Sequence, residues 1–599
     1  MDLAAGLAAF GSTALSALAS ASDVFWQGKI FEKDLWTRLM TGLRISLTLG
    51  GVLLLLYEVR AQRMGEIISE RTKRRIGIVF TALAFGAYFD FFNPNVRYDQ
   101  YYHRHEYFHY YLGSKYSDAL GYTRLYECTA VAEIELGRGA QVKAREIRDL
   151  RVNLIKQVAD TVVVSNPDDC KKRFSPAQWE DFKKDVDWFY RMMAGSYWEG
   201  GQKDHGYNPP PVWTMTGKFF GSFGHADDRF FKILSSLDIL FHIGTVLMLG
   251  WAFGWRVMTI ATVFWGANSP ANFYWTGGAF MRQDWLFFLV ASVCLARKKH
   301  FALAGAALTW SALLRVFPVI VFAGPGLIIA MQLVKHFKRR RDAARGDKHA
   351  KRLLGDWLLP EQRRFVGGCI VAAGVLIPAS MVVAGPDSYV DFVKHTLTVH
   401  KNTPLTNHMG LETMLVHDWD GRMRFTRNDN LDDPFQEWKE GRTSRFAKPL
   451  TQAAFKGISL ICLLWTAWAL RRTKLWWVGM GLSLALEVCL TNLTCYYYSM
   501  FMIAAPLALA RPAIGAVLLM TSGASQIIGA AGTGNRGFYW IDDNYAALSW
   551  LFFACSLLFL YAYSRPLSRV RLLAWWNDQP EPKSPKQLAK RESPPSPAE

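Results

Sequence analysis

Residues 301–341 read FALAGAALTWSALLRVFPVIVFAGPGLIIAMQLVKHFKRRR, and Arg315 is the sole charged residue before Lys335. A membrane helix needs roughly 20 predominantly apolar residues, because each unpaired backbone amide in lipid costs several kcal/mol. The stretch therefore reads as two spans, 301–316 and 317–334, broken near Pro318, which has no N–H to continue the ladder. The consecutive Lys338, Arg339, Arg340 and Arg341 that follow mark a cytoplasmic side.

The same pattern extends in both directions. Apolar runs predict spans at 43–59, 76–92, 233–254, 257–275, 284–297, 366–384, 455–470, 475–493, 497–511, 514–532 and 546–563, about 13 in all. Basic connections at Arg60 to Arg75, Ala296 to His300 and Lys335 to Arg364 anchor the cytoplasmic side. Alternation then places 93–230, 276–283, 385–453 and 533–545 on the extracytoplasmic face. The predicted fold is an all-α polytopic membrane bundle with two large extracytoplasmic loops containing amphipathic helices.

Its parts are 1–92 (an interfacial segment at 3–21 and two membrane helices), 93–230 (a folded helical loop) and 231–384 (central membrane helices). There follow 385–453 (the second loop), 454–563 (C-terminal membrane helices) and 564–599 (a disordered cytoplasmic tail rich in Pro, Lys and Glu).

Composition agrees with this division. Of 599 residues 51% are hydrophobic and 20% charged, so the apolar residues must be clustered. The net charge of +19 sits beside apolar runs rather than on a basic, aromatic-interleaved face, which argues for membrane topology and against nucleic acid. Eight cysteines occur without C-x-x-C spacing, against a zinc ribbon or redox pair. Cys128 and Cys170 share the first large loop; in an oxidising compartment they either bond or remain two thiols.

Chemistry-bearing residues crowd the segment after the second span, from Asn93 through Asp99, Tyr101, Tyr102, His103, Arg104, His105 and Glu106 to His109. A carboxylate such as Asp99 outside a membrane helix can take a proton from an attacking hydroxyl, while Arg or His holds an anionic leaving group. The bland alternative is a solvated interfacial segment. Arg315, late in an apolar span, should face protein or ligand rather than acyl chains. A phosphate, a structural ion pair and snorkelling to the interface all remain open as its partner. Asn407 and His408 lie in the second large loop, where a lone histidine is ordinarily a surface residue. His105-Glu106-x-x-His109 also matches the zinc-peptidase pattern of two imidazoles on one helical face, although no third ligand is evident in the sequence.

In order along the chain, these elements resemble the polytopic GT-C glycosyltransferases that use lipid-linked sugars, and most nearly the bacterial polyprenyl-phosphate-mannose-dependent mannosyltransferases. The resemblance rests on Asp99, Tyr101, Tyr102, Gly113, Tyr116 and Tyr126; on Tyr207-Asn-Pro209-Pro210-Pro211; on Arg282-Gln283-Asp284 and Arg315-Val-Phe-Pro318; and on Asn407-His408-Met-Gly410 with Tyr496-Tyr497-Tyr498. It spans most of residues 76–510. The chain departs from the family's usual Gly-Gln at Arg282-Gln283, its Asn-Gln at Asn407-His408, and its more common Lys at Arg315.

The resemblance implies that Asp99 is the general base, that Arg315, Arg282, Gln283, His408 and Asn407 bind the donor phosphate, and that Tyr101, Tyr102 and Tyr497 line the substrate site. The implied partners are a polyprenyl-phosphate sugar, a lipid or glycan acceptor and the bilayer, at the outer face of the inner membrane. No cofactor is required, though a divalent metal is compatible with the His-rich segment. Two rivals stand beside this reading: a membrane zinc peptidase using His105, Glu106 and His109, and a transporter or lipid flippase, for which the two halves offer no convincing internal repeat.

Overall fold

The computed structural model describes residues 32–565 except 66–67, 94–100, 353–354, 401–402, 432, 472, 474 and 534–540. The readings of 3–21 as an interfacial helix, of Asp99 as a base and of the tail past 565 as disordered fall outside the described residues. Among the described residues seven helices are long and apolar enough to cross a membrane: Lys33–Ala61, Asp228–Phe253, Phe317–Ala344, Pro360–Ala384, Pro449–Leu470, Ala513–Ala531 and Ile541–Ser564. The chain is a helical membrane protein. Shorter apolar helices, Phe301–Leu314, Trp476–Leu490 and Cys495–Leu509, pack among them.

The count of about 13 spans read from the sequence is finer than this, and several of those spans differ in form. The span predicted at 257–275 is a helix only over Trp255–Gly266. Gly266 lies against the backbone of the Glu70–Tyr88 helix, where a Cβ would stand 2.2 Å from the Ala84 carbonyl oxygen. Past that contact the chain turns through Pro270 into the short helix Phe273–Thr276. The span predicted at 317–334 opens as a 3-10 turn, Phe317–Phe322, and then continues as Ala323–Ala344, so the basic run that punctuates the sequence lies on a helix. The helices Phe301–Leu314 and Pro360–Ala384 touch through Gly305 and Gly368, small residues of the kind that let backbones approach closely.

The first large loop is folded around its own core, as its aromatic content predicts. The helices Arg104–Lys115, Leu125–Glu133, Pro176–Met193 and Pro211–Gly221 bury Phe108, Phe182, Phe189 and Trp213. Ser175 and Gln178 form a capping box that starts the third of these. The insert is not purely helical: Glu146–Asp149 pairs antiparallel with Leu154–Gln157, Glu146 opposite Gln157. Buried charge is paired, with Lys115 Nζ 2.8 Å from Asp185 Oδ2 and the Tyr116 hydroxyl donating to the same oxygen at 2.7 Å. Cys128 and Cys170, left open by the sequence, are bonded across a separation of 42 residues.

The two large loops meet. Asn153 Nδ2 donates to Thr403 Oγ1 at 2.7 Å, and Arg148 Nη1 lies 3.7 Å from Asp433 Oδ2.

Closing a loop of 42 residues constrains the unfolded chain by about 4 kcal/mol in the chain-entropy model. Thiol labelling of the denatured, unreduced protein should therefore leave Cys128 and Cys170 unmodified, and Cys128→Ser should lower the melting temperature; labelling of both residues would refute the bond. Burial drives the Glu127 carboxyl up from 4.5 to about 7 despite the opposing Arg151 guanidinium. Between those values the folded chain holds a proton that the unfolded chain has lost. The contribution of Glu127 to stability is thus full below pH 4.5 and declines as pH rises towards 7. Thermal unfolding in detergent should lose that part of its pH dependence in Glu127→Gln; an unchanged profile would refute the assignment.

Candidate functional site

Three segments far apart in sequence bring two guanidiniums into the region where the folded loop meets the membrane helices. The first is the turn before Asp284, which carries Arg282. Asp238, on the helix Asp228–Phe253, accepts the backbone N–H of Arg282 at 3.0 Å and of Gln283 at 3.1 Å. Trp213 Nε1 donates to the Met281 carbonyl at 2.9 Å from the other side. Upstream, Gly278 has φ +65°, and a Cβ there would stand 2.2 Å from the Tyr101 carbonyl oxygen. Its own carbonyl accepts from His103 N–H at 2.8 Å and from the Ser235 hydroxyl at 2.9 Å. The chain two residues beyond Asp99 is thereby fixed close to the turn that bears Arg282.

The second segment carries Arg315. The helix Phe301–Leu314 ends there because Pro318 has no N–H to offer the carbonyl of Leu314, four residues back. Arg315 itself is extended, and its Nη1 donates to that freed carbonyl at 2.7 Å. The guanidinium also lies over Trp213, 5.5 Å from the ring centroid. Trp213 belongs to Pro211–Gly221, so the proline-rich element singled out in the sequence positions the aromatic neighbour of both arginine-bearing turns.

The third segment is Cys495–Leu509. Arg282 Nη2 approaches the Tyr496 hydroxyl at 3.2 Å, while Tyr497 packs between Phe317 and Trp285 at ring distances of 4.5 and 5.6 Å.

Opposite these stands the helix Arg104–Lys115. Glu106 Oε2 is 3.0 Å from Arg282 Nε, and the Tyr110 ring lies 4.2 Å from the guanidinium carbon. Glu106 and Tyr110 are four residues apart and share a helix face. Burial holds the Tyr110 hydroxyl above its ordinary range; Arg282 opposes this, Glu106 and Tyr497 add to it, and Arg315 opposes. One phenol thus feels both arginines and the carboxylate that faces them. Arg282 and Arg315 are each 4% exposed. Arg282 Nη1 and Arg315 Nη2 have no hydrogen-bond partner among the described residues, nor does Asp284 Oδ2.

The other sequence-derived candidates are distributed differently. Gln283 turns its amide back on Thr276 Oγ1 at 2.9 Å, serving the turn itself. Tyr102 is fully buried and donates to Asp228, a core role rather than a substrate-facing one. Tyr101 packs against Phe92 and Phe273. His408 lies on a two-residue strand, His408–Met409, paired with Leu493–Thr494, and its Nδ1 accepts from Leu405 N–H at 3.3 Å. The Asn407 carbonyl accepts from Cys495 N–H at 2.9 Å, stitching the second loop to the segment that carries Tyr496. An apolar cavity of about 330 Å³ is lined by Leu54, Ile76, Phe80, Trp255 and Leu519, with Lys73 and Glu58 among its polar residues; neither arginine borders it.

His105 and His109 come together with Asp204, their ligand atoms all within 4.8 Å of one another. Asp204 supplies the third candidate group that the sequence does not reveal, because it comes from a turn about a hundred residues away. Glu106, which the peptidase reading makes the base, points instead to Arg282. The sequence assigns no role to Tyr110 or Trp213 and carries Tyr496 only within the Tyr496-Tyr497-Tyr498 run; the local signal for Tyr110 is its four-residue spacing from Glu106.

Fold and site together define a polytopic helical membrane protein with a buried, arginine-bearing cluster beneath a disulfide-bonded loop domain. No protein-family model, curated protein or solved structure matches the chain.

Gly278→Ala would place a methyl against the Tyr101 backbone in a left-handed conformation. It should destabilise the protein by roughly 2 kcal/mol or more, read as a lower melting temperature in detergent. Gly326→Ala, with open space around its Cα, should melt like the wild type. Equal melting of the two variants and the wild type would remove Gly278 from the architecture of the site.

Proposed function

We propose that this protein is an integral membrane glycosyltransferase of the GT-C type. It moves a mannose-like hexose from a polyprenyl-phosphate donor to an acceptor hydroxyl at the extracytoplasmic face of the inner membrane. The observation that carries the reading is the pair of buried guanidiniums, Arg282 and Arg315, on turns that share Trp213 and each retaining an unpartnered nitrogen among the described residues. A phosphodiester suits this arrangement, because planar guanidinium donors match phosphate oxygens.

Asp99 removes the proton from the acceptor hydroxyl, whose oxygen attacks the anomeric carbon. The bond from that carbon to the phosphate oxygen breaks with inversion, and the electron pair leaves with the polyprenyl phosphate. Arg315 and Arg282 hold the charge that grows on the departing oxygen, an effect that is larger in a water-poor site than in solution. Glu106 and Asp284 balance the two cations until the donor binds. The disulfide between Cys128 and Cys170 supports placing this face in an oxidising compartment.

Two features weigh against the alternatives. The pairing of Glu106 with Arg282 removes the general base from the peptidase reading. The two halves of the sequence lack the matched repeats common in transporters.

Purified protein incubated with a panel of polyprenyl-phosphate sugars and a membrane extract should yield a glycosylated product detectable by mass spectrometry. Asp99→Asn should abolish the product, and Arg315→Ala should reduce it by about 10²–10³-fold with melting behaviour intact. The absence of product with every donor, or full activity in Asp99→Asn, would overturn the proposal.

A further inference from the structure

The imidazole pair on the helix Arg104–Lys115 has its own geometry, separate from the arginine cluster. His105 and His109 lie one turn apart with ring centroids 4.5 Å apart, and His105 Nε2 is 3.6 Å from Asp204 Oδ2. Ligand atoms of all three residues fall within 4.8 Å of one another. His109 is buried, whereas the Asp204 side chain is 46% exposed, so the group opens to solvent on one side.

Both ring nitrogens of His109 have neighbours. Nδ1 lies 2.7 Å from the His105 carbonyl oxygen, and Nε2 lies 2.7 Å from the Tyr126 hydroxyl and 3.1 Å from the Gly201 carbonyl oxygen. In the tautomer that donates from Nδ1 to His105, Nε2 offers its lone pair to the Tyr126 hydroxyl or to a cation. Donation of the other ring N–H to a backbone carbonyl is also the usual way a metal-binding histidine is oriented.

We infer that His105, His109 and Asp204 form a divalent-metal site selective for zinc or a similar borderline-soft ion. Two imidazoles and one carboxylate suit zinc, with water as a fourth ligand, and suit magnesium or calcium poorly. On binding, His109 Nε2 gives its lone pair to the ion in place of the Tyr126 hydroxyl, which continues to accept from Gly206 N–H at 2.9 Å. The ion clips the first turn of the helix to the Gly201–Asp204 turn. Glu106 projects from a different face of that helix and pairs with Arg282 at 3.0 Å, so it is not placed to act as a base beside this ion. This inference is independent of sugar transfer.

Full-length protein, purified in detergent without a metal-affinity tag and stripped with chelator, should retain about one zinc per chain after dialysis against zinc chloride. Zinc should also raise its melting temperature, and excess magnesium should do neither. His105→Ala and Asp204→Asn should both lose the retained zinc and the thermal shift; the second is nearly isosteric, so the test stands even if the first fails to fold. Gly326→Ala, with open space around its Cα, should retain zinc as the wild type does. Zinc content at background in the wild type, or undiminished content in Asp204→Asn, would overturn the site.

Discussion

Arg282 is buried between a folded polar domain and a membrane bundle, and its contact with Glu106 joins the two. A guanidinium that is 4% exposed must be matched by negative charge and acceptors, or its desolvation would outweigh the packing around it. The match is made by Glu106 from the loop domain, by Tyr496 from the late apolar segment and by the Tyr110 ring stacked on the guanidinium. Removing one partner of such a buried pair typically costs about 3–5 kcal/mol, which makes its geometry an all-or-none feature. Arg315 is then held by a second device, the carbonyl freed by a proline.

The backbone that presents Arg282 is itself tightly specified. Asp238 receives two consecutive amides, Trp213 caps the Met281 carbonyl, and Gly278 lets the Tyr101 backbone approach. Each contact comes from a different segment: a membrane helix, the helix after the proline-rich element, and the start of the loop domain. A site of this kind is built by convergence, and its precision depends on rigid elements rather than on flexible loops.

Charge in the cluster is nearly balanced, two guanidiniums against Glu106 and Asp284, yet donor capacity is not exhausted. That combination suits a ligand that brings its own negative charge and can exchange with a resident carboxylate. The imidazole cluster lies one helix face away, so a metal there would brace the helix carrying Glu106 and Tyr110 without entering the arginine cluster.

The residue string alone determined that this is a helical membrane protein, where most apolar helices lie, that the first large loop folds, and that Arg315 is unusual. Those conclusions follow from apolar run length, from the cost of charge in lipid and from the helix-breaking geometry of Pro318, all of which are local. Only the tertiary structure decided that several spans are short or broken, that Cys128 meets Cys170, that Glu106 turns to Arg282, that Gln283 and Tyr102 serve the scaffold, and that Asp204 joins the histidines. These depend on close backbone approaches such as Gly266 against Ala84 and on contacts between segments well separated in the chain, which hydrophobic periodicity does not encode.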